Sequence, residues 1–149
     1  MGNIGEEIKQ KSFQSQRKKA SLNLLYTASW YERGLKQVWS QFGISHQQFN
    51  VLRILKGAKK PVTLMYITER MLDRNSNASR LIDKLLDKEY VTREICPDNR
   101  RKMDISITPT GIDLLDRIEE PLKEVVDKHF NLSEEESRIL SDLLDKLRG

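Results

Sequence analysis

The chain has 149 residues and a formal net charge of +4, with 38% apolar and 32% charged residues. That composition suits one folded domain with a well-solvated surface and excludes wholesale disorder. No uninterrupted apolar run approaches the roughly 20 residues a bilayer span requires, the first residues lack the apolar core of a secretion signal, and the single cysteine excludes an intramolecular disulfide framework; a cytoplasmic protein without membrane contact is expected.

The predicted elements follow in chain order. Ala20, Leu24, Ala28, Tyr31, Leu35, Val38 and Phe42 recur at alternating spacings of four and three, which predicts a long amphipathic helix over 13–42, stopped by Gly43. Leu22, Tyr26 and Trp30 add a second apolar row, more than one neighbouring face requires. Ser45-x-x-Gln48 has the form of a capping box and opens a second helix to about residue 56. Pro61-Val62-Thr63 reads as a brief extended link, and Leu64, Ile67 and Met71 mark a short third helix.

Leu72 to Asn75 reads as a polar turn, after which Asn75 or Ser76 is expected to cap a fourth helix running to about residue 88. That helix has a buried row of Ala78, Leu81, Ile82 and Leu85, and an opposite side of Ser76, Asn77, Ser79, Arg80, Asp83, Lys84 and Asp87. Val91 to Ile95 and Met103 to Thr108 alternate as two strands, with residues 96–102 as the hairpin tip. Thr108 and Pro109 start a fifth helix whose stripe is Leu115, Ile118, Leu122 and Val125, with Pro121 expected to bend it. Ser133-x-x-Glu136 is a second capping box, opening a last helix with Ile139 or Leu140, Leu143 and Leu147 inward.

Charge divides this order into two parts. Residues 1–109 hold 20 Lys/Arg against 11 Asp/Glu, whereas residues 110–149 hold 6 against 11; the first part suits a polyanion and the second would be repelled by one. Two short helices joined by a polar turn, then a basic hairpin, is the order of a winged helix-turn-helix, and the fold class expected is α+β, mainly helical, with N- and C-terminal dimerisation helices. A recognition helix must bury one face and present short polar and basic groups to base edges on the other. Asn77 is then a candidate for adenine, Arg80 for guanine or phosphate, Lys84 for phosphate, Ser79 for the same exposed face, and a helix start at Ser76 would offer free N–H groups to a phosphate. The wing candidates are Asn99, Arg100, Arg101 and Lys102, and an adjacent minor groove would relieve the mutual repulsion of the three cations.

In SRLIDKLLDKEYVTR (79–93), DNRRKMDISITPTG (98–111) and the closing LSEEESRILSDLL (132–144), the sequence resembles the multiple antibiotic resistance regulator (MarR) family of bacterial transcription factors. The resemblance covers nearly the whole chain in element order. It implies one domain over residues 1–149, with a DNA-binding lobe at 45–108 and dimerisation helices at 6–42 and 110–148. It further implies a homodimer on a near-palindromic double-stranded operator, acting as a ligand-responsive repressor. Arg101, seven residues before Thr108, matches the family's wing arginine. Two positions depart from the pattern: Asn99 stands where an acidic residue is usual, with Asp98 beside it, and Glu89 stands where the family has glycine between recognition helix and strand.

The Leu-rich end helices carry more apolar rows than a small winged domain can bury alone, and Leu24, Leu122, Leu140, Leu143 and Leu147 are expected at the dimer interface. Trp30, Tyr31 and Trp39 are candidates to line the pocket where, by the same resemblance, a small aromatic or anionic effector binds, plain core residues being the commoner alternative. Cys96 reads as an inert thiol, and His46 and His129 as helix-surface or interface residues, since neither has partners at metal-ligand spacing. No metal and no cofactor is expected, and the absence of a phosphate loop or nucleophile motif argues against an enzyme. The rival reading is a winged-helix module that binds a protein rather than DNA.

Overall fold

The computed structural model describes residues 2–149; the side chains of Arg100 and Arg101, two of the wing candidates, lie outside the described residues. Element order is α1 (Ile4–Glu7), α2 (Gln16–Gln41), α3 (His46–Ala58), β1 (Val62–Thr63), α4 (Leu64–Arg70), α5 (Ala78–Asp87), β2 (Val91–Cys96), β3 (Asn99–Ile107), α6 (Pro109–His129) and α7 (Glu134–Arg148). The strands form one antiparallel sheet in the order β1-β3-β2.

Helix starts follow local capping chemistry. Ser45 and Gln48 close the expected capping box on α3, as do Ser133 and Glu136 on α7, each satisfying a backbone donor the helix leaves open. Thr108 caps α6 with Pro109 in its first turn, and Pro121 lies within the unbroken helix. Gly43 takes a φ of +65° after α2, the left-handed conformation that ends the helix. The long first helix is shorter than its periodicity suggests: Ser15 caps it, accepting from the Lys18 amide, so it begins at Gln16 rather than at residue 13. Residues 4–7 instead form a separate turn of helix under an Asn3–Glu6 capping box, with Ile4 buried and Glu7 accepting a hydrogen bond from the Tyr26 hydroxyl at 2.7 Å.

Two further expectations change. Val62 and Thr63 are a strand, paired with Ile105 and Asp104 of β3, rather than a bare link. The hairpin tip is Pro97-Asp98, because β3 begins at Asn99 instead of Met103. The ladder nevertheless breaks there: Ile95 lies opposite Met103 but Cys96 lies opposite Asn99. Residues 100–102 thus have no opposite number on β2, so the basic triplet is carried on an irregular stretch of strand.

The core joins α3, α4, α5, the inner face of the sheet, the end of α2 and the first half of α6, through Leu52, Leu55, Ile67, Ile82, Leu85 and Ile118 among others. At its edge α5 hands over to the hairpin. Tyr90 N–H donates to the Leu85 carbonyl at 3.0 Å and Glu89 N–H to Leu86 at 2.9 Å, a paired arrangement that requires the intervening residue to be left-handed. Glu89 has a φ of +60°, so a side chain with a Cβ occupies a position suited to glycine.

Glu89→Gly is therefore expected to stabilise the fold by about 1 kcal/mol, raising the melting temperature by a few degrees in a thermal scan. An unchanged or lower melting temperature would show that the turn carries no such strain.

Candidate nucleic-acid interface

The turn before α5 settles which residue starts the helix. Asp73 Oδ1 accepts from the Asn75 amide at 2.9 Å, the Ser76 amide donates to the Asp73 carbonyl at 3.2 Å, and the Ser76 hydroxyl oxygen is buried. With Asn75 and Ser76 tied up inside the turn, Asn77 becomes the cap, its Oδ1 accepting from the Arg80 amide at 3.1 Å. Neither Asn75 nor Ser76 caps the helix, and Ser76 is not at its start. Asn77 keeps its exposed position, but one lone pair of its Oδ1 serves as the cap, which limits how far the carboxamide can turn to meet adenine with both ends; the amide nitrogen remains as a donor.

Beyond the cap, Ala78, Ile82 and Leu85 are buried while Ser79, Arg80, Asp83, Lys84 and Asp87 are exposed, as the pattern predicts, but Leu81 is only half-buried and Ser76 is not on the open face. Lys88, just past the helix, donates from Nζ to the carbonyl of Gly43 and ties α5 to the end of α2. Thr63 caps α4, accepting from the Tyr66 amide, and Arg70 lies 3.5 Å from the Tyr66 ring centroid. In the hairpin, Asn99 and Lys102 are exposed. The candidates of α5 and those of the hairpin thus lie on neighbouring elements joined through Glu89 and Tyr90.

One pair escaped the sequence reading. Arg93 of β2 donates to Asp83 of α5 at 2.9 Å, linking helix and hairpin. A signal was present: Arg93 alternates with Val91, whose side chain is buried, and lies opposite the buried Ile105, so it is a cation on the core-facing side of a strand.

The aromatic residues expected to share a pocket fall into two groups. Trp30 packs against His129 and Tyr31 against Phe130, with ring centroids 4.6 and 5.1 Å apart, and Gly34 makes room, since a Cβ there would lie 2.5 Å from His129 Nε2. Trp39 is instead a core residue stacked against both His46 and Phe49, at centroid distances of 5.3 and 4.6 Å. It borders a cleft of about 380 Å³ with Glu32, Lys36 and His46, a cleft that Trp30 and Tyr31 do not line. Among the described residues no cluster of His, Cys, Asp or Glu could hold a metal ion, and no helix is long and apolar enough to cross a membrane.

His46 is half-buried, and burial holds its pKa below the usual 6.5, opposed by Glu32 and reinforced by Arg53. Its position in the first turn of α3 also disfavours a positive charge. Because folding favours the neutral ring, its contribution to stability is complete above pH 6.5 and is lost as the pH falls through 6.5 towards the lowered value. In thermal scans at pH 7.5 and 5.5, His46→Gln is expected to show a smaller drop in melting temperature than the parent; an equal drop would place the sensitivity elsewhere.

The chain matches a family model described as MarR family over residues 42–102. It is 30% identical over 106 residues to the HTH-type transcriptional regulator MhqR of Bacillus subtilis (strain 168), covering 70% of this chain and 72% of that protein. It is 28% identical over 119 residues to the HTH-type transcriptional regulator PecS of Dickeya dadantii (strain 3937), covering 78% and 72%. A crystal structure of a mutant MarR from E. coli, complexed with operator DNA, superposes with a TM-score of 0.77 at 20% identity, over 98% of this chain and 99% of that one. With its winged helix-turn-helix architecture, the chain belongs to the MarR family of transcriptional regulators.

Proposed function

We propose that this regulator binds a near-palindromic operator as a homodimer and represses by occluding promoter DNA in the cytoplasm. Each protomer lays α5 in a major groove and its hairpin against the adjacent minor groove. The observation that carries this reading is the exposed face of α5, where Asn77, Ser79, Arg80 and Lys84 stand over a buried apolar row, next to a hairpin whose irregular stretch holds the basic triplet. The E. coli relative of the same fold was solved on operator DNA, which supports the reading further. Arg101 is the wing residue in this account and Asn99 its neighbour.

Dimerisation is supported by what one protomer leaves open. No residue of α7 is buried, although Ile139, Leu140, Leu143 and Leu147 lie along it, and Leu24 and Leu25 of α2 are also exposed. An amphipathic helix with no covered face needs a second surface, and a two-fold axis supplies the same surface from the partner. Leu122 already packs against the protomer core, so it contributes to the interface from one side at most. Residues 45–108 then form the reading lobe, and the helices on either side hold the lobes at a fixed separation. A small aromatic or anionic effector releases the dimer in this scheme if it prefers a separation that does not fit DNA.

Salt dependence tests the DNA reading. Six to ten phosphate contacts are expected to weaken operator binding by roughly three to five decades between 50 and 200 mM salt, whereas a module for a protein partner need bind no DNA. Arg101→Ala is expected to weaken binding to all duplexes. Asn77→Ser keeps a capping oxygen and removes the amide donor, so it is expected to spare the melting temperature and shift which operator is preferred; equal losses on every sequence would remove Asn77 from base readout. In sedimentation, Leu143→Lys is expected to convert a dimer to a monomer with loss of operator binding, and a parent protein that binds its operator as a monomer would defeat the dimer reading.

A further inference from the structure

The hairpin meets α5 at its base, and beyond that a cleft of about 480 Å³ opens between them, lined by Ser79, Ile82, Arg93, Lys102 and Met103 and, from β1 and α4, by Thr63, Leu64 and Met65. Ile95 and Met103, opposite each other in the ladder, are both exposed beside it. At its base the hairpin is fixed by the Glu89–Tyr90 turn and by Val91 in the core. Farther out it is a two-stranded ribbon with a broken register, which is marginal in rigidity without a surface to lie on. The Asp83–Arg93 ion pair crosses this gap, and among the described residues no other ion pair joins α5 to the hairpin.

We propose that Asp83 is a positioning residue for DNA reading: by holding Arg93 it fixes the angle between α5 and the wing, so that both reach neighbouring grooves of one duplex together. This rests on the DNA-binding reading above. Stability does not account for the pair. Both side chains are about half exposed, and such pairs contribute between nothing and about 1 kcal/mol. Direct attraction to DNA does not account for it either, because Asp83 lies on the exposed face between Arg80 and Lys84, where a carboxylate repels phosphates. A charge that contributes little to folding and opposes approach to DNA is explained if it orders the second reading element.

The two roles of Asp83 predict opposite changes. If it is merely a repelling charge, Asp83→Asn tightens binding to every duplex alike and leaves discrimination alone. If it positions the wing, the same substitution tightens or preserves binding to arbitrary DNA and erodes preference for the operator, since the free wing no longer registers with α5. The ratio of the two affinities separates these cases, and a mere fault in folding would lower both affinities together with the melting temperature.

The experiment is fluorescence anisotropy with the full-length protein at one salt concentration, on the tightest duplex recovered by selection and on a scrambled duplex of equal length. Asp83→Asn is expected to lower the operator-to-scrambled ratio about five- to tenfold, Arg93→Gln by a similar factor, and the double substitution no further than either alone, while Asp83→Glu restores most of the ratio. A ratio unchanged or raised in Asp83→Asn, or independent losses in the double substitution, would overturn the proposal. A parent protein that does not distinguish the two duplexes would instead remove the DNA-binding reading on which the proposal rests.

Discussion

The backbone of Tyr90 is the joint on which the arrangement of the reading elements depends. Its N–H ends α5 on the Leu85 carbonyl, and its own carbonyl accepts from the Thr108 amide at 3.0 Å. Thr108 in turn donates its hydroxyl to the Glu89 carbonyl at 2.7 Å while accepting from the Gly111 amide at 3.0 Å. Gly111 is forced by the same contact, because a Cβ there would lie 2.3 Å from the Tyr90 oxygen. Within a few residues, the end of the recognition helix, both feet of the hairpin and the start of α6 share one hydrogen-bonded set. Displacing any of them at this joint breaks several of these bonds together, so the base of the hairpin, the end of α5 and the start of α6 keep one mutual arrangement while the outer hairpin is left to other contacts.

From that joint the chain extends in two directions with different chemistry. One way lies the lobe, where Leu114 and Ile118 of α6 enter the same core as Ile82 and Leu85 of α5. Lys56 of α3, bonded to Asp116 at 2.7 Å, adds a second tie between lobe and α6. The other way, α6 runs out to His129, packed on Trp30 and Tyr31 of α2, and on to α7 with its uncovered leucines and its acidic first turn. Since α6 belongs to both ends, a change in how two protomers met in the proposed dimer would reach the orientation of α5 through one continuous helix. The acidic excess after residue 109 keeps the distal end away from a polyanion that the basic lobe attracts.

Much of this was legible because it is local. The capping boxes at Ser45 and Ser133, the stop at Gly43 and the apolar stripe of α5 are set by neighbours a few residues away, and they stand where the sequence puts them. The Asn3–Glu6 box was as explicit, but a single turn of helix is shorter than any window in which periodicity registers. The cap of α5 was undecidable locally: Asn75, Ser76 and Asn77 are all favourable caps, and the choice fell to tertiary burial of Ser76 and to the Asp73 turn. β1 is too short for alternation and exists through pairing with β3, some forty residues later in the chain. The basic triplet concealed the length of β3, because a strand that breaks register there has no reason to alternate. The aromatic residues divide for a different reason: Trp39 lies where the end of α2 enters the core and Trp30 near the middle of the helix against His129, and a sequence does not reveal which is roofed by a neighbour.

Two copies of this lobe are proposed to read one operator together. Selection of binding sites from random duplex DNA by the purified protein, read by sequencing, tests it most directly. The account predicts recovery of an inverted repeat with half-sites about one helical turn apart, since two-fold symmetry of the protein must appear in the DNA. Recovery of no motif, or of an unrepeated half-site bound by a single protomer, would contradict it.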